Sequence, residues 1–300
     1  MRLKLRQLQI FVAIARNGST AAAGEELGLS QSATSAALNE LERLLSRQLF
    51  DRSSKRLVLN DNGRQVLPQA LAVLNAAEEI ERLGNDQGLT PPSLRIGASS
   101  TIGNYVLPYL LRRFLARWSD AESSAQWASH VMIGNTAQVC HLVADFQLDI
   151  GLIEGPCHEP SLNALPWITD ELLIVASPEK AEQILHAKTP DHIALKTLRE
   201  QVWLLREEGS GTRGTTDAAL LPHLRSYQRS VEFGSSEAIK HAAAEGMGIA
   251  CLSYWVVAEM MRSDRLVRLK TTLPRLLRPF YIVMHRDKRP TSGLQDLLSH

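Results

Sequence analysis

Short hydrogen-bonding side chains crowd one stretch of this chain. Gln31, Ser32, Thr34 and Ser35 follow Ser30 directly, with Asn39 one turn on. Amides and hydroxyls of this length can bond the edges of base pairs, and the start of a helix is what a helix-turn-helix offers to the major groove. Arg52, Lys55 and Arg56 come next, and such cations reach phosphates or a minor groove. A second polar set is Ser99, Ser100, Thr101, Asn135, Thr136, Ser210, Thr212 and Ser236. Each sits at a predicted helix start, where hydroxyls and free N–H groups can hold an anion or polar ligand. A single such hydroxyl serves equally well as an N-cap. Arg206, Arg213 and Lys240 are candidate partners for an anion, and Glu154 for an amine.

The spacing around these residues predicts the elements that carry them. Leu3, Leu5, Leu8, Phe11, Val12 and Ala15 give a first helix an apolar stripe, ended by Asn17-Gly18. Ser19 or Thr20 caps the next helix, and Gly28 ends it after Leu27. From Ser30, the residues Ala33, Ala37, Leu38, Leu41, Leu44 and Leu45 form the inner face of a third helix, with the polar set opposite. Leu49 to Leu59 reads as a short hairpin, so residues 1–62 form one domain. A helix follows from Arg64 to Leu83. Val66, Ala70, Val73, Ala77 and Ile80 repeat as a heptad seam, and Leu67, Leu71 and Leu74 widen it. Pro68 is expected in the first turn of that helix. Residues 63–88 are therefore a linker, and Gly84 to Pro92 a hinge.

The remainder, 93–300, alternates strands with helices, which predicts a mainly parallel sheet with ligands beyond the carboxyl ends of its strands. Expected strands are 94–98, 127–133, 147–153, 171–176, 202–205, 230–233, 246–252 and 280–284; a helix is expected from Gly103 to Trp118. The chain should cross to a second lobe near Leu165 and return near Leu269. That gives lobe I as 93–164 and 269–300, and lobe II as 165–268.

Several local patterns together resemble the LysR-type transcriptional regulators: Leu8-x-x-Phe11, Gly18-Ser19, Leu29-Ser30-Gln31-Ser32, Leu41-Glu42 and Leu49-Phe50-x-Arg52. The resemblance runs over the whole chain and is strongest to about residue 70. It implies an α/β protein with an N-terminal winged helix-turn-helix, a long linker helix that dimerises, and a two-lobed effector domain like the periplasmic solute-binding proteins. It implies double-stranded promoter DNA and a small-molecule effector as partners, a ligand at the Ser99–Thr101 turn, and a homodimer or homotetramer. One departure stands out. Many such chains carry Arg or Lys just after the position of Ser35, whereas Ala36 and Ala37 stand here. Base reading then falls to Gln31, Ser32, Thr34 and Ser35, with the wing cations adding affinity.

Composition narrows the alternatives. With 300 residues, about two domains are expected. Net charge is only +1, which argues against a DNA-packing polycation. Residues 1–66 nevertheless hold ten Lys/Arg against six Asp/Glu, a modestly basic module on a near-neutral body. No nucleophile elbow is present, since Gly209-Ser210-Gly211 lacks its spacing, and no catalytic residue, cofactor or metal site is expected. Cys157-His158 alone makes no closed zinc site; as a sulfur switch it would need a partner. Cys140, Cys157 and Cys251 are few and widely spaced, which suits a reducing cytoplasm. No membrane span or signal peptide is expected. The set of hydroxyls leans towards a polar or anionic effector. The competing reading is a cytoplasmic two-lobe binding protein or enzyme whose N-terminal helices only dimerise.

Overall fold

The computed structural model describes residues 3–53, 56–84, 94–116, 129–185, 192–288, 290 and 294–295. Lys55, the hinge 85–92, Trp118 and the start of the strand expected at Trp127 lie outside the described residues. Two compact units divide the chain, one running to the end of the linker helix and one comprising mainly residues 94–116 and 129–286.

The first unit contains α1 (Leu5–Asn17), α2 (Thr20–Leu27), α3 (Gln31–Leu45), β1 (Phe50–Ser53), β2 (Arg56–Leu59) and α4 (Asp61–Gly84). Local chemistry sets each boundary. Gly18 and Gly28 end α1 and α2 at φ +65 and +66, the left-handed region that favours glycine. Ser19 and Ser30 accept the N–H groups of Ala21 and Ala33, each at 3.2 Å. α1 is buried through Leu8, Ile10, Phe11, Val12, Ala13 and Ile14, whereas Leu5 is exposed. Its stripe is thus displaced and broader than the spacing predicts, because α2, α3 and α4 all pack on it. β1 and β2 pair antiparallel, Phe50 opposite Leu59, and Phe50 meets Phe11 edge-on at 5.6 Å. Leu57 N–H bonds the Gly18 carbonyl at 2.9 Å, tying the wing to the α1–α2 turn. α4 starts at Asp61, so Pro68 lies two turns inside it rather than in the first. Proline there leaves one helical carbonyl unbonded. Gly63 permits the docking of α4, since a Cβ would sit 2.2 Å from the Leu49 carbonyl oxygen.

The second unit runs β3 (Arg95–Ser99), α5 (Ser100–Tyr105), α6 (Leu107–Ala116), β4 (His130–Gly134), α7 (Thr136–Ala144), β5 (Ile150–Glu154), β6 (Leu162–Ala176), α8 (Pro178–Leu185), α9 (Leu195–Arg199), β7 (Val202–Arg206), α10 (Gly211–Leu224), β8 (Arg229–Phe233), α11 (Ser236–Ala244), β9 (Ile249–Ser253), α12 (Tyr254–Arg262), β10 (Val267–Arg268) and β11 (Leu276–His285). The single helix expected from Gly103 is two, because the backbone turns at Val106 just before Pro108. Strand order is β4-β3-β5-β11-β6-β9-β7-β8, with β10 beside β6. β3 pairs parallel with β4 and β5, and β7 with β8 and β9.

Two long antiparallel strands, β6 and β11, join these parallel halves. Early β6 residues such as Leu165 lie opposite Ile282 in the first lobe, while Leu172 pairs with Ser253 of β9 in the second. The return crossing comes later than Leu269. That residue still bonds the Ile174 carbonyl through its N–H, and the register shifts between Pro279 and Tyr281. Both crossings occur inside strands, so no loop marks them in the sequence. Val139, Val143 and Ile153 belong to a core of the first lobe, and clusters around Trp203 and around Ile239 to the second.

Candidate functional site

In the first unit the outer face of α3 carries Gln31, Ser32, Ala33, Ala36, Asn39 and Arg43, with Ser35 half-buried. Thr34 does not belong to it. It is fully buried, and its hydroxyl donates to the Ser30 carbonyl at 3.0 Å. The reason lies in α2: Gly24 has no Cβ, and one would stand 2.9 Å from Thr34 Oγ1. The inner face is therefore Thr34, Leu38 and Leu41, and Ala33, expected inside, is exposed. Ala33 and Ala36 present methyl groups of the kind that contact thymine, a role the spacing did not suggest; the glycine opposite residue 34 was the available signal. Arg43 is chelated by Glu40 at 2.7 Å through both Nε and Nη2. Arg56 is exposed at the start of β2, and Arg52 occupies a β1 position opposite Leu57. Glu42 accepts the Leu49 N–H at 2.7 Å, fixing the wing's strand to the end of α3.

In the second unit three of the eight expected ligand residues, Thr101, Thr136 and Thr212, meet around Glu154. Glu154, at the end of β5, is buried. It accepts the Thr101 N–H at 2.9 Å and the Thr212 hydroxyl at 2.7 Å, and it pairs with Arg278 at 2.9 Å. Arg278 also pairs with Asp170 at 2.8 Å and donates to Thr212 at 3.0 Å, while the Ser253 hydroxyl donates to Asp170 at 2.8 Å. Thr136 Oγ1 donates to the Glu154 carbonyl at 3.0 Å. Burial pushes the Glu154 carboxyl up, but Arg278 and the Thr212 and Thr101 donors outweigh it and hold the group below its usual 4.5. For Asp170 burial outweighs the same arginine, helped by repulsion from Glu154, and the group stays above its usual 3.8. Asp170 and Arg278 were missed from the sequence; the signal was a cation inside an otherwise apolar strand.

The lobes are fastened at both rims. Asn135 Nδ2 donates to Glu207 at 3.3 Å and the Ala137 N–H to the Gly209 carbonyl at 3.1 Å. On the other side Tyr105 bonds Glu237, and Lys240 donates to Tyr105 at 2.8 Å. Between them Gly211 approaches the end of β5 so closely that a Cβ would lie 1.7 Å from the Glu154 carbonyl oxygen.

Most expected ligand residues thus have structural work. Ser100 donates to the Gly134 carbonyl at 3.3 Å, Ser210 caps α10, and Ser236 accepts from Arg206 at 2.8 Å. Arg206, Arg213 and Lys240 each pair with a carboxylate. Ser99 and Thr101 differ. They are 2% and 1% exposed; the Ser99 hydroxyl faces the Glu154 carboxylate and helps hold it down, whereas the Thr101 hydroxyl has no protein partner among the described residues.

A cavity of about 630 Å³ opens between the starts of α7 and α10, with Thr136, Cys140 and Ser210 on its wall. Glu159, Glu208, Asp217 and Glu232 also line it against Arg213, so its charge does not suit an anion. Among the described residues no cluster of His, Cys, Asp and Glu could hold a metal ion, and no helix is long and apolar enough to cross a membrane.

Comparison with known proteins matches both units. Residues 5–64 fit the family described as bacterial regulatory helix-turn-helix protein, lysR family, and residues 87–300 fit the LysR substrate binding domain. The chain is 42% identical over 301 residues to the uncharacterized HTH-type transcriptional regulator YeiE of Escherichia coli (strain K12), covering 100% of this chain and 97% of that protein. Among solved structures, a full-length OxyR variant from Pseudomonas aeruginosa superposes with a TM-score of 0.74 at 22% identity, covering 100% of this chain and 94% of that one. The regulatory domain of CcmR from Synechocystis PCC6803, in complex with 2-PG, gives 0.59 at 26% identity over 69% of this chain and 94% of its own.

Proposed function

The chain belongs to the LysR family of bacterial regulatory helix-turn-helix proteins, and we propose from this premise how its two units divide the work of an effector-controlled transcription factor. It is a DNA-binding transcriptional regulator carrying an effector domain. In the head, Gln31, Ser32 and Ser35 read base edges, with Ala33 and Ala36 lying against thymine methyls, while Arg52, Lys55 and Arg56 hold phosphates. Thr34 is left out of this set because it is buried.

In the second unit, Ser99 and Thr101 take a small polar or anionic effector between the lobes. One observation carries this: the buried Thr101 hydroxyl, two residues from Ser99, has no protein acceptor among the described residues. Leaving such a group unbonded is unfavourable by about 1–3 kcal/mol, so an acceptor-rich ligand is the natural complement. Ser100, Asn135, Thr136, Ser210, Thr212 and Ser236 shape the surrounding walls and the closed contacts. The complex of the CcmR domain with 2-PG supports a bound ligand in a domain of this kind. The effector acts by preferring one arrangement of the lobes, since only differential binding shifts an equilibrium. The working form is a dimer or tetramer joined through α4, and it resides in the cytoplasm with its DNA.

The test pairs calorimetry with DNA binding. Small oxyanions and carboxylates are titrated into the full chain, then into Ser99→Ala and Thr101→Val. The expectation is binding that both variants lose while their melting temperatures stay near the parent's. Binding confined to large apolar molecules, or left intact in both variants, would refute the assignment. Footprints on the gene's own upstream region should change with the ligand that binds.

A further inference from the structure

Cys140 and Cys157 meet at a place the effector reading does not use. Cys140 lies on α7 and is 6% exposed; Cys157 is half-buried in the irregular segment between β5 and β6. Both thiols are free, and their sulfurs are 3.6 Å apart. Two contacting sulfurs in a core are commonly just apolar neighbours. Two features set this pair apart. Cys140 also lines the α7–α10 cavity beside Pro156 and His158, so the pair sits at the edge of that cavity. Cys157 lies on a segment without regular structure that leaves β5 through Gly155 at φ +75, so the chain can move it without unpairing a strand. Cys251, by contrast, is sealed in a core of the second lobe.

We propose that Cys140 and Cys157 are a reversible redox pair that closes to a disulfide when a peroxide reaches the half-buried Cys157. A disulfide holds its sulfurs at about 2.05 Å, so they must approach by roughly 1.5 Å. α7 is anchored through Val139 and Val143 in the core, so the 155–161 segment moves. Cys157 is the more exposed of the two sulfurs, and burial pushes the Cys140 thiol up, so the first attack falls to Cys157. The Cys157 thiolate attacks one peroxide oxygen, the O–O bond breaks, and hydroxide leaves to become water with the thiol's former proton. The resulting sulfenic acid is attacked by Cys140 sulfur; the S–O bond breaks, and the departing hydroxide takes the Cys140 proton as a second water. Two thiols and one hydrogen peroxide thus give one disulfide and two waters.

The bond bears on the seam between the lobes. A Cβ on Gly155 would stand 3.1 Å from Thr215 Oγ1 and 3.3 Å from the Gly211 carbonyl oxygen of α10. Drawing the 155–161 segment towards α7 therefore shifts what α10 packs against. This proposal does not depend on where the effector binds.

The experiment uses the reduced full-length chain, treated with hydrogen peroxide, alkylated and digested without reductant. The expected result is loss of two of the three thiols that alkylate after unfolding, with a cross-linked Cys140–Cys157 peptide lighter by two hydrogens than its parts. Dithiothreitol should restore both thiols, and Cys251→Ala should behave like the parent. Cys157→Ser and Cys140→Ala should each abolish the linked peptide. Over-oxidation of Cys157 while Cys140 still alkylates, or a linked pair that includes Cys251, would overturn the proposal. The parent chain alone decides this, whatever the folding of the variants.

Discussion

Thr34 and Gln31 share the first turn of α3 but face opposite ways, and substitution should separate them. Gln31→Ala is expected to lower the preference for the cognate site over random DNA by about 1–3 kcal/mol, with the melting temperature unchanged. Thr34→Val removes the buried bond to the Ser30 carbonyl, so it should destabilise the head by about 1 kcal/mol and weaken both DNAs equally. Competition binding and thermal melts would read the two effects apart. At the same scale, Arg278→Met strands two buried carboxylates and should lower unfolding stability by about 3–5 kcal/mol. The acid response follows from the same cluster. Glu154 titrates below its unfolded value of 4.5, so its stabilisation is complete above that pH and drains as pH falls through the lower folded value. Asp170 is displaced upward and works the other way, its ionisation opposing the fold above its raised value. Glu154→Gln should therefore flatten the loss of denaturation midpoint on acidification. The sequence could suggest Ser30 and Thr101 as helix-start residues because a cap is local. It could not pair Asp170 with Arg278, which stand 108 positions apart.

Elements were legible where a stop signal stands next to them and illegible where two strands do one job. Gly18, Gly28 and the capping serines marked α1 to α3. β6 was not readable in full, since its first part runs without alternation through exposed Asn163, Ala164, Leu165 and Pro166 before the apolar run begins at Leu172. The meeting of α10 with β5 offers a test of this lobe contact. Gly211→Ala would put a Cβ 1.7 Å from the Glu154 carbonyl oxygen, a distance no backbone tolerates. Each lobe keeps its own core, so the variant should fold but hold α10 away from β5. Hydrogen exchange should rise at the Ala137 amide, which bonds Gly209 across the lobes, while core amides of β3 and β7 stay protected.

The whole molecule adds the question of how many reading heads act together. Net charge is +1, with ten Lys/Arg against six Asp/Glu in residues 1–66, so affinity for DNA rests on local contacts rather than on bulk charge. α4 buries Leu67 and Ala70 against its own unit, yet Val73 is 44% and Ile80 68% exposed further along the same seam. A helix with so much apolar surface in water calls for a second copy. Ile80→Glu together with Val73→Glu should therefore yield monomers by sedimentation while thermal melting of the head is kept. The DNA readout then has a definite size. The slope of log K against log salt is proportional to the number of phosphates neutralised, about 0.9 for each. A monomer engages one half-site where a dimer engages two, so its slope should be about half the parent's. Arg56→Ala in the intact dimer removes one phosphate contact per head and should reduce the slope by about two, with equal losses on cognate and random DNA. A monomeric double variant that kept the parent's full slope would mean that one head alone makes all the contacts, and the two-headed arrangement would have to be given up.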